Sequence, residues 1–120
     1  MSVTFYLIKH QDTAKIRNEY FDSNEPEDPI FNPRFINREI YPTFNYANSN
    51  AARLLHIVGK WKEGEDLCGA VYSSKIKDFL EHINSLEAEH RDDEYVTRFF
   101  TNLDWLVRVA IKLDDGIAWA

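Results

Sequence analysis

The chain has 120 residues, 44% of them hydrophobic, and a formal net charge of −6, which together predict one soluble globular domain with a real core. Because nonspecific affinity for nucleic acids comes mainly from lysine and arginine, this charge disfavours DNA or RNA as a partner and favours a basic protein. A single cysteine allows no intrachain disulfide, and no apolar stretch approaches the roughly 20 residues of a membrane helix, so we expect a cytoplasmic protein.

The first third of the chain alternates between strand-like and irregular segments. Residues 3–8 and 35–41 are rich in β-branched and aromatic side chains, which predicts strands, and residues 12–20 could form a short helix. Residues 22–34 contain three prolines and four acids, which predicts an irregular, exposed loop. This loop is either a solvated connector or a contact arm for a cationic partner. The candidate contacts of such an arm are Glu25, Glu27, Asp28 and Phe31.

Asparagines mark the middle of the chain. Asn45, Asn48 and Asn50 indicate a turn, and we expect Asn48, Ser49 or Asn50 to cap a short helix over residues 51–58 by accepting bonds from its free N–H groups. The same amides could instead be presented to a polar ligand or to the backbone of a partner. Asn48 and Asn50 are therefore candidate binding residues.

Residues 60–71 are predicted to form a loop anchored by Trp61. Its acids Glu65 and Asp66 are candidate contacts for a partner. Cys68 also lies here, but a catalytic thiol needs a neighbouring base and a lowered pKa, and nothing in the sequence fixes either. We interpret this cysteine as buried and inert.

The last part of the chain is predicted to be mainly helical. Residues 76–86 carry apolar side chains at three- and four-residue spacing, which predicts an amphipathic helix capped by one of the serines just before it. Residues 96–111 keep this spacing for about four turns and should form the buried central helix, with the acids at 92–94 at its positive end. Residues 117–119 could form a last strand that pairs with the first.

These elements predict an α+β domain, mainly helical, in which three to four helices pack on a small two- to three-stranded sheet formed by the chain ends. No phosphate-binding glycine loop or serine nucleophile motif is present in the sequence. His82 and Asp78, four residues apart, are expected to form a surface ion pair, and the acids at 114–115 to be solvated. The sequence therefore predicts no catalytic, metal or cofactor site.

The pattern N-x-x-N-x-N-A-x-x-L-L-x-x-x-G over residues 45–59, followed by D-L-C-G at residues 66–69, resembles a group of small uncharacterised bacterial and bacteriophage proteins. Gly59 closes the helix in this pattern by taking the left-handed conformation. The resemblance implies no known activity. It implies a bacterial or phage setting, in which small acidic proteins often serve as inhibitors or immunity factors.

Two hypotheses of function follow. The first, which the absence of a catalytic motif favours, is a non-enzymatic protein-binding module of the inhibitor or immunity type. The alternative is a small enzyme or ligand-binding protein whose site lies between the asparagine turn and the D-L-C-G segment and uses Asn48, Asn50, His56 and Cys68. The sequence leaves both open, together with the oligomeric state.

Overall fold

The computed structural model describes residues 1–11 and 43–120. The elements in chain order are β1 (Ser2–Leu7), β2 (Phe44–Ala47), α1 (Asn48–Ile57), β3 (Gly69–Val71), α2 (Ile76–Glu89), α3 (Glu94–Lys112) and β4 (Ile117–Trp119). The chain therefore has the predicted α+β fold. The predictions for a helix at 12–20, an acidic loop at 22–34 and a strand at 35–41 lie outside the described residues.

The four strands form one antiparallel sheet in the order β2-β1-β4-β3. The two chain ends pair at its centre, as predicted, with Phe5 opposite Trp119. The sheet is larger than the predicted two to three strands, because β3 adds to the outer side of β4. The expectation that residues 60–71 form only a loop is therefore wrong at its last three residues.

One aromatic side chain joins the sheet to the longest helix. Phe5 is fully buried. Its ring stacks on Phe44 of β2 and on Trp119 of β4, with centroids 4.7 and 5.9 Å away, and it meets Phe99 of α3 edge-on at 5.8 Å. Each aromatic pair of this kind contributes about 1 kcal/mol beyond the burial of its area. Phe5 therefore ties β1 to both neighbouring strands and to α3.

The predicted central helix is confirmed. Ten of the 19 residues of α3 are buried, and α2 packs against it through its own apolar stripe of Ile76, Phe79 and Ile83. Asp93 caps α3 by accepting hydrogen bonds from the backbone N–H groups at positions 95 and 96, in line with the acids expected at this end.

The other two helix starts differ from the predictions. Among the described residues no side chain caps α1, which begins at Asn48 directly after β2, three residues earlier than predicted. The N–H of Asn48 donates to the carbonyl of Met1 at 3.2 Å, so backbone pairing beside the sheet replaces the expected side-chain cap. α2 follows Lys75, and neither Ser73 nor Ser74 caps it.

A buried carboxylate fastens the ends of the two central strands. Asp115 is fully buried, so the expectation that it is solvated is wrong. It accepts hydrogen bonds from the backbone N–H of Lys9 at 2.9 Å and of Gly116 at 2.7 Å. The Nδ1 of His10, which is 35% exposed, lies 2.8 Å from the same carboxylate. Asp115 thus holds the chain leaving β1 against the chain entering β4.

We predict that Asp115→Asn lowers the free energy of unfolding by about 2 kcal/mol, because the amide cannot satisfy all the buried donors. His10→Ala should cost less than about 1 kcal/mol, because the imidazole is partly exposed and two backbone N–H groups still donate to the carboxylate. The matched control is Asp114→Asn, a change at the exposed neighbouring acid that should lie within about 0.5 kcal/mol of the wild type. Urea unfolding followed by circular dichroism measures all three. Equal effects at positions 114 and 115 would contradict this role.

Candidate functional site

The described candidate binding residues fall on two segments, one at the start of α1 and one beyond its end. Asn48 and Asn50 lie in the first turn of α1, half-buried and exposed respectively, while Glu65 and Asp66 are exposed in the loop that follows this helix. The remaining sequence candidates lie outside the described residues, and their role stays a prediction. These are Glu25, Glu27, Asp28 and Phe31.

The end of α1 directs the chain into this loop. Gly59 has a φ of 76°, its N–H donates to the carbonyl of His56 at 3.1 Å, and the N–H of Lys60 donates to the carbonyl of Leu55 at 2.8 Å. This bond pair is a Schellman motif, which confirms the predicted role of the glycine. Beyond this motif the Nζ of Lys60 lies 5.5 Å from the ring centroid of Phe79. The next residue, Trp61, lines a surface depression beside α1.

That depression is formed by one face of α1 and the start of the loop. His56 and Ile57 follow Arg53 by three and four residues and so lie beside it on the helix, while Trp61 and Glu63 close the other side. The depression has a volume of about 430 Å³. We call these five residues, with the neighbouring acids Glu65 and Asp66, the Trp61 surface.

The indole of Trp61 is held in place by the loop itself. Its Nε1–H donates to the carbonyl of Glu65 at 3.0 Å, and the Nδ1 of His56 donates to the carbonyl of Trp61 at 3.3 Å. A turn closed by the bond from the Glu65 N–H to the Lys62 carbonyl at 3.1 Å places Gly64, with a φ of 93°, where a left-handed residue is required. The loop therefore holds the indole ring in one orientation.

The one arginine of the Trp61 surface is already paired. The Nη2 of Arg53 lies 2.8 Å from the Oδ2 of Asp93, the cap of α3. The hydrogen bond from the Val96 N–H lowers the pKa of the Asp93 carboxyl most, the bond and charge of Arg53 and the Tyr95 N–H lower it further, and partial burial opposes them. Since this cation has its partner, the exposed acids Glu63, Glu65 and Asp66 determine the local charge, with Lys62 as a partial offset.

The four residues of the enzyme or ligand-binding hypothesis do not all line this depression. His56 lines it, whereas Asn48, Asn50 and Cys68 do not. Cys68 is exposed, which corrects the expectation of a buried thiol. The sequence predicts Trp61 as the anchor of its loop, but does not single out Arg53 and Ile57 as part of a site. Their positions in the predicted helix, close to His56, were the signal that could have identified them.

Two broader properties follow from the described residues. Within residues 1–11 and 43–120, no three histidine, cysteine, aspartate or glutamate side chains are grouped so that they could hold a metal ion. None of the three described helices is long and apolar enough to cross a membrane.

Comparison with known proteins adds no relative. No protein-family model matches the chain, and neither the curated proteins nor the solved structures contain a match to it. The candidate site therefore rests on the geometry described above.

The Asp93 contacts predict a pH dependence. Because the pKa of Asp93 is lower in the folded chain than its usual value of about 3.9, these contacts stabilise the fold above that value and lose their contribution as the pH falls through the lowered pKa. We expect Asp93→Asn to reduce the drop in melting temperature between pH 5 and pH 2.

The matched control is Asp92→Asn, a change at the exposed acid that precedes Asp93. This variant should show the same acid-induced drop in melting temperature as the wild type. Thermal melts followed by circular dichroism at several pH values make the comparison. An unchanged drop in Asp93→Asn would show that these contacts do not stabilise the folded chain.

Proposed function

We propose that this chain is a non-enzymatic protein-binding module and that the Trp61 surface is its contact with the partner. The observation that carries the proposal is the state of Trp61. The other two tryptophans, Trp105 and Trp119, are 3% exposed, whereas Trp61 is only half-buried and its ring donates one hydrogen bond, to the Glu65 carbonyl of the loop. Tryptophan and arginine are enriched among the residues that dominate binding energy at protein interfaces. A ring that is already ordered also loses little entropy on binding.

The charge beside this ring favours a basic partner. Glu63, Glu65 and Asp66 are exposed around Trp61 in a chain of net charge −6. Complementary fields of this kind accelerate encounter and fix the orientation of the partner. A lysine or arginine side chain placed over the indole would gain both the ring face and a nearby carboxylate. The inhibitor or immunity role, and a bacterial or phage origin, rest on the resemblance of residues 45–59 and 66–69 alone.

The alternative, a small enzyme or ligand-binding protein, would need Asn48, Asn50, His56 and Cys68 to share one cavity. Of these four residues, His56 alone lines the Trp61 depression. No specific contact among the described residues favours this second function.

The proposal predicts that Trp61 fluorescence reports binding of a basic peptide, because the other two indoles are shielded. A peptide rich in lysine and arginine should shift the emission of the full chain in a saturable, salt-sensitive way. The double substitution Glu63→Lys/Glu65→Lys should weaken this binding at least about tenfold, since it reverses the charges beside the ring.

The matched control is Glu81→Lys/Glu89→Lys, which makes the same change in net charge at exposed positions of α2. This control should bind within about twofold of the wild type once salt is at a physiological level. Equal weakening by both double substitutions would mean that only overall charge matters, and would contradict the proposed surface. Equal binding of a neutral peptide of the same length would contradict the basic partner.

A further inference from the structure

A second depression lies on the other side of Lys60, between the end of α1, the end of β3 and the start of α2. It has a volume of about 440 Å³. Its apolar lining is Val58, Val71 and Phe79, each no more than 5% exposed. Lys60 and Lys75 line it as well. We call it the Lys60–Lys75 pocket, and we propose that it binds a medium-chain aliphatic carboxylate, with the chain on the apolar lining and the carboxylate between the two lysines.

The apolar part of the pocket is built from fixed groups. The Nε2 of His82 donates to the carbonyl of Val58 at 3.1 Å, so this bond replaces the ion pair with Asp78 that the sequence suggested. The same imidazole lies beside Phe79, with ring centroids 6.4 Å apart. The imidazole of His82 therefore forms one side of the pocket and links α2 to the end of α1 through its hydrogen bond. An aliphatic chain laid against His82 and the valines would lose its contact with water on that side, at a gain proportional to the apolar area covered.

The charged part of the pocket consists of two lysines, one just after α1 and one just before α2. The ammonium of Lys60 lies 5.5 Å from the ring centroid of Phe79, a distance at which the ring face attracts a cation and holds it above the apolar lining. Lys75 is exposed and immediately precedes α2. In a chain of net charge −6, two lysines at one apolar depression make a local site that complements an anion.

Asp78 gives the pocket a direction. It is the only acid among the described residues that line the depression, and it lies one turn along α2 from Lys75. Its charge repels a carboxylate, so the bound anion should lie towards the lysines and its apolar tail towards Val58 and Val71. The volume falls within the range of about 300–1,000 Å³ typical of small-molecule sites, and it exceeds what an acetate ion would fill.

The test uses octanoate, below the concentration at which it forms micelles, and the full chain. Binding is measured by calorimetry and by amide chemical shifts. We expect saturable binding with the largest shifts at Gly59, Val71, Phe79 and His82. Affinity should rise with each added methylene from butanoate to octanoate, by at most roughly threefold to fourfold per step, which is the gain for complete burial. Octanol and octylamine should bind at least about tenfold more weakly, because neither carries the negative charge.

Three variants locate the site. Lys60→Gln/Lys75→Gln should weaken octanoate binding at least about tenfold. The matched control Lys62→Gln/Lys77→Gln removes the same charge two residues further along the same loop and helix, and should change the affinity by less than about twofold. Asp78→Asn should tighten binding a few-fold, because it removes the repelling carboxylate.

Several results would overturn the proposal. Equal binding of octanol would show an apolar patch that does not use the lysines. Equal binding of acetate would show surface ion pairing without the pocket. Tighter binding of N-acetylleucine than of octanoate would assign the pocket to the carboxyl end of a peptide. Shifts that appear with rising protein concentration alone would assign it to a second copy of the chain, and an absence of shifts with octanoate would reject the site.

Discussion

The ring of Phe5 is the point where the parts of this fold meet. It contacts aromatic rings from β2, β4 and α3. The first strand is therefore a central strand of the sheet and also packs against α3. β1 and β4 are far apart in the sequence, and their pairing forms the centre of the sheet. Since the ring is fully buried, any loosening of this pairing would expose it and its neighbours to water. The Trp61 surface and the Lys60–Lys75 pocket are both next to α1, which packs against β1 and β2.

The locally encoded features could be predicted from the sequence. The three- and four-residue spacing of apolar side chains in α3 predicts a buried helix, because each of those side chains falls on the same stripe. Gly59 ends α1 because its left-handed conformation costs a glycine little. Asp93 caps α3 because its carboxylate reaches the N–H groups two and three residues ahead. In each case the partner lies within a few residues, so pattern and chemistry suffice.

The features that were not predicted depend on distant partners. β3 contains only three residues, and its Gly69 lies so close to the Trp119 indole that an added Cβ would come within 2.7 Å of the ring, a constraint set 50 residues away. Asp115 is buried with the help of a donor from the distant backbone of Lys9, which no local pattern reveals. The same holds for the site: the sequence indicated Trp61 as an anchor and Glu65 and Asp66 as acids, but the pairing of Arg53 with Asp93 and the half-exposed state of the indole required the folded arrangement.

Two neighbouring residues separate the two proposed sites. Lys60 lies over Phe79, and Trp61 faces the outer side of α1, so the turn after Gly59 gives one surface an acidic and aromatic character and the other an apolar and basic one. A chain with a strongly acidic balance thereby presents two chemically distinct surfaces within a few residues. Both depend on α1 being held against the sheet by its buried Ala51, Leu54 and Leu55.

The most direct test of the account is native-state hydrogen exchange of a Phe5→Leu variant. If Phe5 joins the sheet to α3, the slowest amides of β1, β4 and α3 should all lose protection by the same factor, about tenfold, because they open together. Tyr72→Leu, a change at an aromatic residue that is 67% exposed, should leave those amides unchanged. Loss of protection confined to β1 and β2, with β4 and α3 unaffected, would contradict the central role of this contact.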